Sequence, residues 1–494
     1  MHTPRWVHGR GPGPDTSGAE RPRRAPAGVR GAGAAALIGW VAILSGCSDP
    51  APADAGPLDA PVEGRDSPSV ESDAPTTGDA PLDAAAPDAP LLPGDYDPDD
   101  GPEAGAGRVV AVRTAGELVA AIGAASPGDE ITLEDGTYAL DDIVAVTRPG
   151  TPDRRIFVRA RNPLGATITV CADIGFRIDA PYWIFEGLVL RSRCTTVSDH
   201  AFQVIGGGND FILRRCRSED FFAHVKLNGT GGVWPDRFWA IDNEFRDTVA
   251  IPADGPFNVL NLDGGDAHVV RGNRFVDIAV ATARHASSIY LKATTRDAII
   301  ESNVVVCLRT LSSTGPTRGI WGGDATGSGG ICDGDCANVR NITRNNLVLH
   351  CEGGSGNRFG LGSTYERDVV YLHNLVHRVT QNFYDGQNPG PVLFRANLLY
   401  ADFLVSSTGP GRPILEENST LGAAGMAALY VDPDAADFTL RAPGSLPRVA
   451  RDPRAAHDFC GHARGAMTDL GPIDYGHPRA AECVARIRAI YEAL

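Results

Sequence analysis

The stretch Ala240-Ile-Asp-Asn243-Glu-Phe245 returns as Val270-Arg-Gly-Asn273-Arg-Phe275 and as Ile300-Glu-Ser-Asn303-Val-Val305. It recurs as Ile342-Thr-Arg-Asn345-Asn-Leu347, Tyr371-Leu-His-Asn374-Leu-Val376 and Phe394-Arg-Ala-Asn397-Leu-Leu399. The Asn positions are separated by 30, 30, 42, 29 and 23 residues. A short β-rich phrase at this period marks a solenoid, in which one coil cannot bury itself alone and stacking supplies the core. Asn suits the bend because it tolerates left-handed backbone and bonds locally. Stacked coil on coil, its amides can form an internal ladder. Gly187 and Cys216 are read as occupying the same slot in earlier coils, with Cys216 buried and unpaired.

Outward from the repeat, the ends of the chain differ in kind. Six arginines precede an apolar run from Ala34 to Leu44, too short to span a bilayer as a stable helix. The run ends in Leu44-Ser45-Gly46-Cys47, which resembles a bacterial lipobox. Residues 1–46 therefore read as a lipoprotein signal peptide, an ordinary signal peptide with a chance Cys being the alternative. A lipidated Cys47 implies a membrane anchor in an oxidising compartment. Ser48 after it, by resemblance to bacterial lipoproteins, implies the outer membrane.

Residues 47–107 are dominated by Asp, Ala, Pro and Gly. From Ser48 to Gly107 there are 15 acidic residues against Arg65 alone, so nearly all of the net charge of −16 belongs here. Such a segment stays extended and solvated, a tether for the domain beyond it. The remainder is only mildly acidic and has no basic stripe, so a nucleic-acid partner is not expected.

Residues 108–494 read as one domain: an N-terminal cap over 108–128, coils over 129–450, and a C-terminal cap over 451–494. Thr114-Ala-Gly-Glu117 begins a helix with a capping box, continued by Leu118, Ile122 and Ala125 on one face. The segment from Val484 to Leu494 reads as a closing helix. Nine cysteines lie beyond Cys47. Cys332 and Cys336 bracket Asp333-Gly334-Asp335, where a local disulfide and a metal clip both fit, the disulfide being preferred. Cys460 with Cys483, Cys171 with Cys194, and Cys307 with Cys351 are further candidate pairs, although connectivity does not follow from sequence.

The phrases Gly128-Asp-Glu-Ile131-Thr-Leu133, Arg155-Ile-Phe-Val-Arg-Ala160 and Tyr182-Trp-Ile-Phe-Glu-Gly187-Leu-Val-Leu190 come in an order that resembles secreted right-handed parallel β-helix proteins. These include the chondroitinase B and alginate lyase family. Val431-Asp-Pro-Asp-Ala-Ala-Asp-Phe-Thr-Leu440 resembles the last coil common to many of them. The resemblance implies an all-β fold: a single-stranded right-handed parallel β-helix with an N-terminal capping helix and a short C-terminal helix.

In stacked coils equivalent residues line up in columns ~4.8 Å apart. Five phrases overlay: Val225-Lys226-Leu227-Asn228, Leu260-Asn261-Leu262-Asp263, Ile289-Tyr290-Leu291-Lys292, Ile320-Trp321-Gly322-Gly323 and Phe359-Gly360-Leu361-Gly362. Period-2 alternation turns the second and fourth residue of each outward. One face then carries Lys226, Asn228, Asn261, Tyr290 and Trp321 as candidate sugar-binding groups: polar tips for hydroxyls or carboxylates, aromatic rings for pyranose faces. In the chondroitinase B and alginate lyase family a Lys on a coil strand acts as base, an Arg comes shortly afterwards, and Ca²⁺ is often present. The resemblance so assigns Lys292 as base and Arg318 as acid or carboxylate neutraliser, although the family's Arg-His-Gly phrase is absent. Pectate lyases of another β-helix family use Asp-bound Ca²⁺, which assigns Asp263 and Asp266 to a metal. An ion pair between Asp263 and Lys292 is the bland alternative for both.

The expected function is that of a monomeric polysaccharide lyase, periplasmic or anchored at the outer membrane or cell surface, working by β-elimination on an acidic glycan. A non-catalytic carbohydrate-binding or adhesin-like surface protein is the alternative. Polygalacturonase phrases, a Gly-x-Ser-x-Gly elbow, phosphate loops and zinc-finger spacings do not occur.

Overall fold

The computed structural model describes residues 107–193, 199–252, 257–323, 338–352, 358–386, 388–406 and 411–494. Cys47, Cys194 and the whole Cys332–Cys336 bracket lie outside them. From Val109 onward the chain winds into three long parallel sheets of 12, 12 and 11 strands. Each turn gives one strand to each sheet, as in Ile212–Arg214, Arg217–Glu219 and Ala223–Asn228. This is a right-handed parallel β-helix.

The corner between the first two strands of a coil sets the repeat. Its conformation is left-handed at the residue before the Asn slot: Arg215, Asp242, Gly272, Ser302, Asn345, His373, Ala396 and Glu417 all have φ between 52° and 68°. The slot residue then points inward. Asn243, Asn273, Asn303, Asn346, Asn374, Asn397 and Asn418 form a ladder in which each backbone N–H donates to the side-chain oxygen of the next, at 2.8–3.0 Å. Each Asn side-chain amide also donates to a backbone carbonyl of the coil before it, for instance Asn303 Nδ2 to the Val270 carbonyl at 2.9 Å. The corner's otherwise orphaned backbone groups are thereby satisfied inside a dry core.

Two expected slot assignments are corrected by one residue each. Asn346, not Asn345, is the rung: Thr343 pairs with Ile300, so the preceding Asn345 takes the left-handed position. Likewise Gly187 (φ 68°) is the left-handed residue of its coil and Leu188 fills the slot. Cys216 does occupy the slot, buried and free, and its N–H donates to Asn243 Oδ1 at 3.0 Å.

Around the ladder the interior is filled by stacked rings. Phe176 lies 5.4 Å from Phe202, Phe245 lies 5.2 Å from Phe275, and Tyr371 lies 4.5 Å from Phe394. The N-terminal end is covered by α1 (Ala115–Gly123), which buries Leu118 and Ile122. Its capping box is closed by Glu117 N–H to Thr114 Oγ1 at 3.2 Å and Thr114 N–H to Glu117 Oε2 at 3.2 Å. A preceding strand, Val109–Val112, already belongs to the first sheet.

On the outer face of that sheet, charges alternate between coils. Arg159 and Arg214 both reach Glu186, at 3.6 and 2.9 Å. Glu301 sits between Arg271 and Arg344. Burial pushes the Glu301 carboxyl up, but the two guanidiniums outweigh it and hold it below the usual glutamate range.

The C-terminal segment ends in the expected short helix. α2 (Gly422–Leu429) and α3 (Ala480–Ala493) belong to an apolar cluster on the outer face of one sheet, where Val304, Val306, Leu347, Leu349 and Leu375 need covering. The helix therefore lies along the flank of the coils. Arg464, fully buried, fastens the segment ahead of α3: its guanidinium donates to Asn345 Oδ1 at 2.9 Å and to the Gly471 and Pro472 carbonyls. The Asn displaced from the ladder thus anchors the flank. Cys460 is bonded to Cys483, and Cys307 to Cys351. Cys171 is also in a disulfide.

Two effects on stability are expected. Asn303→Ala leaves the buried Asn273 N–H without its acceptor and should cost roughly 2–4 kcal/mol, read as a lower denaturant midpoint. Glu301→Gln strands two arginines and should cost about 3–5 kcal/mol at neutral pH. Because the Glu301 pKa is depressed on folding, its contribution is complete above the ordinary glutamate pKa and fades as pH falls through the folded value. The gap between wild type and Glu301→Gln should therefore close in acid; a gap independent of pH would contradict this account.

Candidate functional site

The second 12-stranded sheet carries the candidate face. Its relevant strands are β1 (Ile174–Ile178), β2 (His200–Ile205), β3 (Ala223–Asn228), β4 (Phe257–Asp266), β5 (Ala286–Arg296), β6 (Thr317–Gly322), β7 (Phe359–Ser363) and β8 (Gln381–Tyr384). Their registers place Arg177, Gln203, Lys226, Asn261, Tyr290, Trp321, Gly362 and Phe383 in one outward column. Sequence alignment of the phrases is correct from Lys226 to Trp321. It fails at the next coil, where Gly362 and not Gly360 stands opposite Trp321.

Beside this column Asp263 pairs in register with Lys292, and Asp263 Oδ2 is 3.9 Å from Lys292 Nζ. Immediately afterwards the ladder slips between Asp263 and Gly265. Gly264 makes this irregularity feasible: φ is 84°, and an added Cβ would lie 2.4 Å from the Trp234 ring. The chain is thereby turned away just beyond the Asp263–Lys292 pair.

A cavity of about 210 Å³ opens over β2 to β5, lined by His200, Lys226, Asn258, Asn261, His285, Tyr290 and Lys292, with Phe222 and Ala223 as its apolar wall. Three of its polar features are unusual. Asn258 Oδ1 and Asn261 Oδ1 are buried without a hydrogen-bond partner among the described residues. Buried carbonyl oxygens are nearly always paired, so two such groups in one cleft call for a donor from a bound molecule or water. Burial, and then repulsion from Lys292, hold the Lys226 ammonium below the usual lysine range against the opposing pull of Asp263 and Asp199. Burial, and then Lys226, push the His200 imidazole down to about 4, so that it is neutral at physiological pH.

The expected site residues divide. Lys226, Asn261, Tyr290 and Lys292 meet in the cavity. Asn228 lies at its margin, accepting from Gln203 Nε2 at 3.3 Å. Arg318 does not join them: it is in register with Ser287 and Phe359, and its guanidinium lies 4.0 Å from the Trp321 ring centroid. Trp321 is only 5% exposed and stacks on Phe383 at 5.3 Å, so its ring is committed to packing and offers no sugar platform. Tyr290 is 3% exposed and presents only part of itself to the cavity.

Asp263 and Asp266 do not converge on a metal. Asp263 faces an ammonium, whereas Asp266 lies past the slip, exposed, beside Asp236 and in register with Arg296. Among the described residues no cluster of three or more His, Cys, Asp or Glu is placed to hold an ion. Ca²⁺ takes six to eight oxygens, and this donor set does not fit it. His224 is 2.7 Å from Ser218 Oγ and 3.5 Å from Asp247 Oδ1, but all three are sealed inside the coil, where no substrate reaches them.

His200 and Asn258 were missed from the sequence. Extending the overlay backwards by one coil aligns Gln203 with Lys226, but His200 shares the alternation of the buried Phe202 and Val204, so period 2 alone assigns it inward. Asn258 precedes its overlaid phrase by two residues, and only the extra length of β4 brings it to the face.

No family model matches the chain, and no curated protein matches it. Among solved structures, pectate lyase Pel9A superposes with a TM-score of 0.51 at 16% identity, over 74% of this chain and 96% of that one. A rhamnogalacturonan lyase gives 0.39 at 13% identity, over 76% and 98%. An alginate lyase from Paenibacillus sp. str. FPU-7 gives 0.38 at 16%, over 63% and 98%. At such identities the likeness is one of fold: this chain is a parallel β-helix distantly resembling polysaccharide lyases.

Proposed function

We propose that the protein is a polysaccharide lyase that cleaves an acidic glycan by β-elimination in the cavity over β2 to β5. One observation carries the reading: a lysine with depressed basicity, Lys226, faces a second ammonium, Lys292, in a cleft with unsatisfied amide oxygens. Uronate elimination needs a base for the proton α to the carboxylate and cations for the charge that develops there. Lys226, in its deprotonated form, takes the C5 proton. The C5–H electron pair becomes the C4–C5 double bond, and the C4–O bond breaks toward the leaving sugar. The Lys292 ammonium and the Asn261 amide hold the carboxylate, while Asp263 fixes the Lys292 head. The Tyr290 hydroxyl returns a proton to the leaving oxygen. Lys226, not Lys292, is assigned as base because Lys292 is committed to Asp263. Arg318 is assigned to packing on Trp321.

The protein is further proposed to be held at the outer membrane through lipidated Cys47, with residues 48–107 as spacer. Cys47→Ser should move it from the membrane fraction to the soluble one; unchanged membrane association would remove this placement.

Purified protein incubated with alginate, pectate and chondroitin should generate the absorbance of new C4–C5 double bonds. The rate should rise with pH through the lowered Lys226 pKa, since the base works deprotonated. Lys226→Ala should lose about 10²–10⁴-fold. Lys226→Arg, which keeps the charge but cannot act as base, should fail equally. Activity retained in both variants would move the base elsewhere. Tight glycan binding without any double bond would favour a non-catalytic surface protein.

A further inference from the structure

The outward column runs on from the cavity in both directions, and the two continuations differ. Toward the C-terminal coils it is filled. Trp321 stands next in register after Tyr290, and an added Cβ on Gly362, one coil further, would lie 2.2 Å from the indole. The indole continues onto Phe383, while Phe359 packs edge-on at 5.3 Å and Arg318 lies against the ring. Among the described residues, no polar side chain of this column comes after Tyr290 through Trp321, Gly362 and Phe383.

Toward the N-terminal coils the column is polar. Gln203 and then Arg177 stand in register with Lys226. Gln203 leans sideways onto Asn228. Arg177 is exposed and has no ion pair among the described residues. Two coils separate it from Lys226, a spacing of ~10 Å from the distance between stacked strands.

From this asymmetry we infer that an anionic glycan runs along the stack from Lys292 and Lys226 toward the N-terminal coils, and that Arg177 is its distal carboxylate-binding residue. The inference rests on the proposed reading of the cavity as a glycan site. A guanidinium suits the task, because its fork can engage a carboxylate with two parallel hydrogen bonds. Its exposure keeps the gain modest. Arg177 therefore adds affinity for chains long enough to reach it and adds nothing for a short one occupying the cavity alone.

The test measures binding of di-, tetra- and hexauronides by calorimetry to the full chain in a Lys226→Arg background, with wild type assayed in parallel for elimination. Affinity should increase with length. Adding Arg177→Gln should weaken the hexauronide roughly three- to tenfold and leave the diuronide unchanged. Arg161→Gln, which removes an arginine paired with Glu134 elsewhere on the surface, should alter neither. Hexauronide binding indifferent to Arg177→Gln overturns this inference alone, as does an equal loss for the diuronide. Length-dependent binding that needs Arg177, with no elimination by wild type, overturns the lyase reading and leaves this inference standing. Absence of binding to every uronide overturns both.

Discussion

The corner hydrogen bond from one Asn to the next is the constraint on which the rest of this molecule depends. A coil that turns sharply must leave backbone donors and acceptors pointing into its own core, where each unpaired group costs about 1–3 kcal/mol. The amide oxygen accepts from the Asn of the preceding coil and the amide nitrogen donates to that coil's carbonyl, so each corner is satisfied only when the next one is stacked on it. The ladder therefore couples turn geometry to stacking. Stacking in turn fixes the register of all three sheets.

From that register comes the site. Lys226, Asn261 and Tyr290 are remote in the chain, yet they neighbour one another because their coils are held in step. Polar residues on an outward sheet face are normally solvated. Here the face is recessed, so Asn258, Asn261 and Asp263 are each nearly inaccessible. Recessing cationic and amide groups without satisfying them is unfavourable to folding, and a surface so built is suited to a partner that brings the missing hydrogen bonds. The same recess separates the two lysines by role: Lys292 has a carboxylate beside it, whereas Lys226 feels burial and the second ammonium.

The fold was legible because its signal is repeated: an error in one coil is corrected by its neighbours. Slot assignments slipped only where two candidates sat side by side, as at Asn345-Asn346, or where glycine could serve either role, as at Gly187. Period-2 alternation placed Lys226, Asn261, Tyr290 and Lys292 on one face. It could not tell an outward aromatic that greets solvent from one that packs on its neighbours, and so Trp321 was misread. Nor does alternation report distance: Asp263 and Asp266 are close in sequence, but the Gly264–Gly265 slip sends them to different surroundings. Residues contributed by the extra length of a strand, such as Asn258, carry no repeat signature at all.

The bond between Cys307 and Cys351 joins adjacent coils across 44 residues of chain. Val306 and Leu349 are already paired beside it, so both ends of the intervening stretch are tied down locally. A closed loop of this kind grows more costly only logarithmically with length. The stretch so closed is one whole coil, carrying the strands Thr317–Gly322, Ile342–Arg344 and Leu347–Leu349 and the rung Asn346. The bond therefore acts as a clasp at the seam of a single coil, holding that coil closed on itself independently of the hydrogen bonds to the coils above and below it.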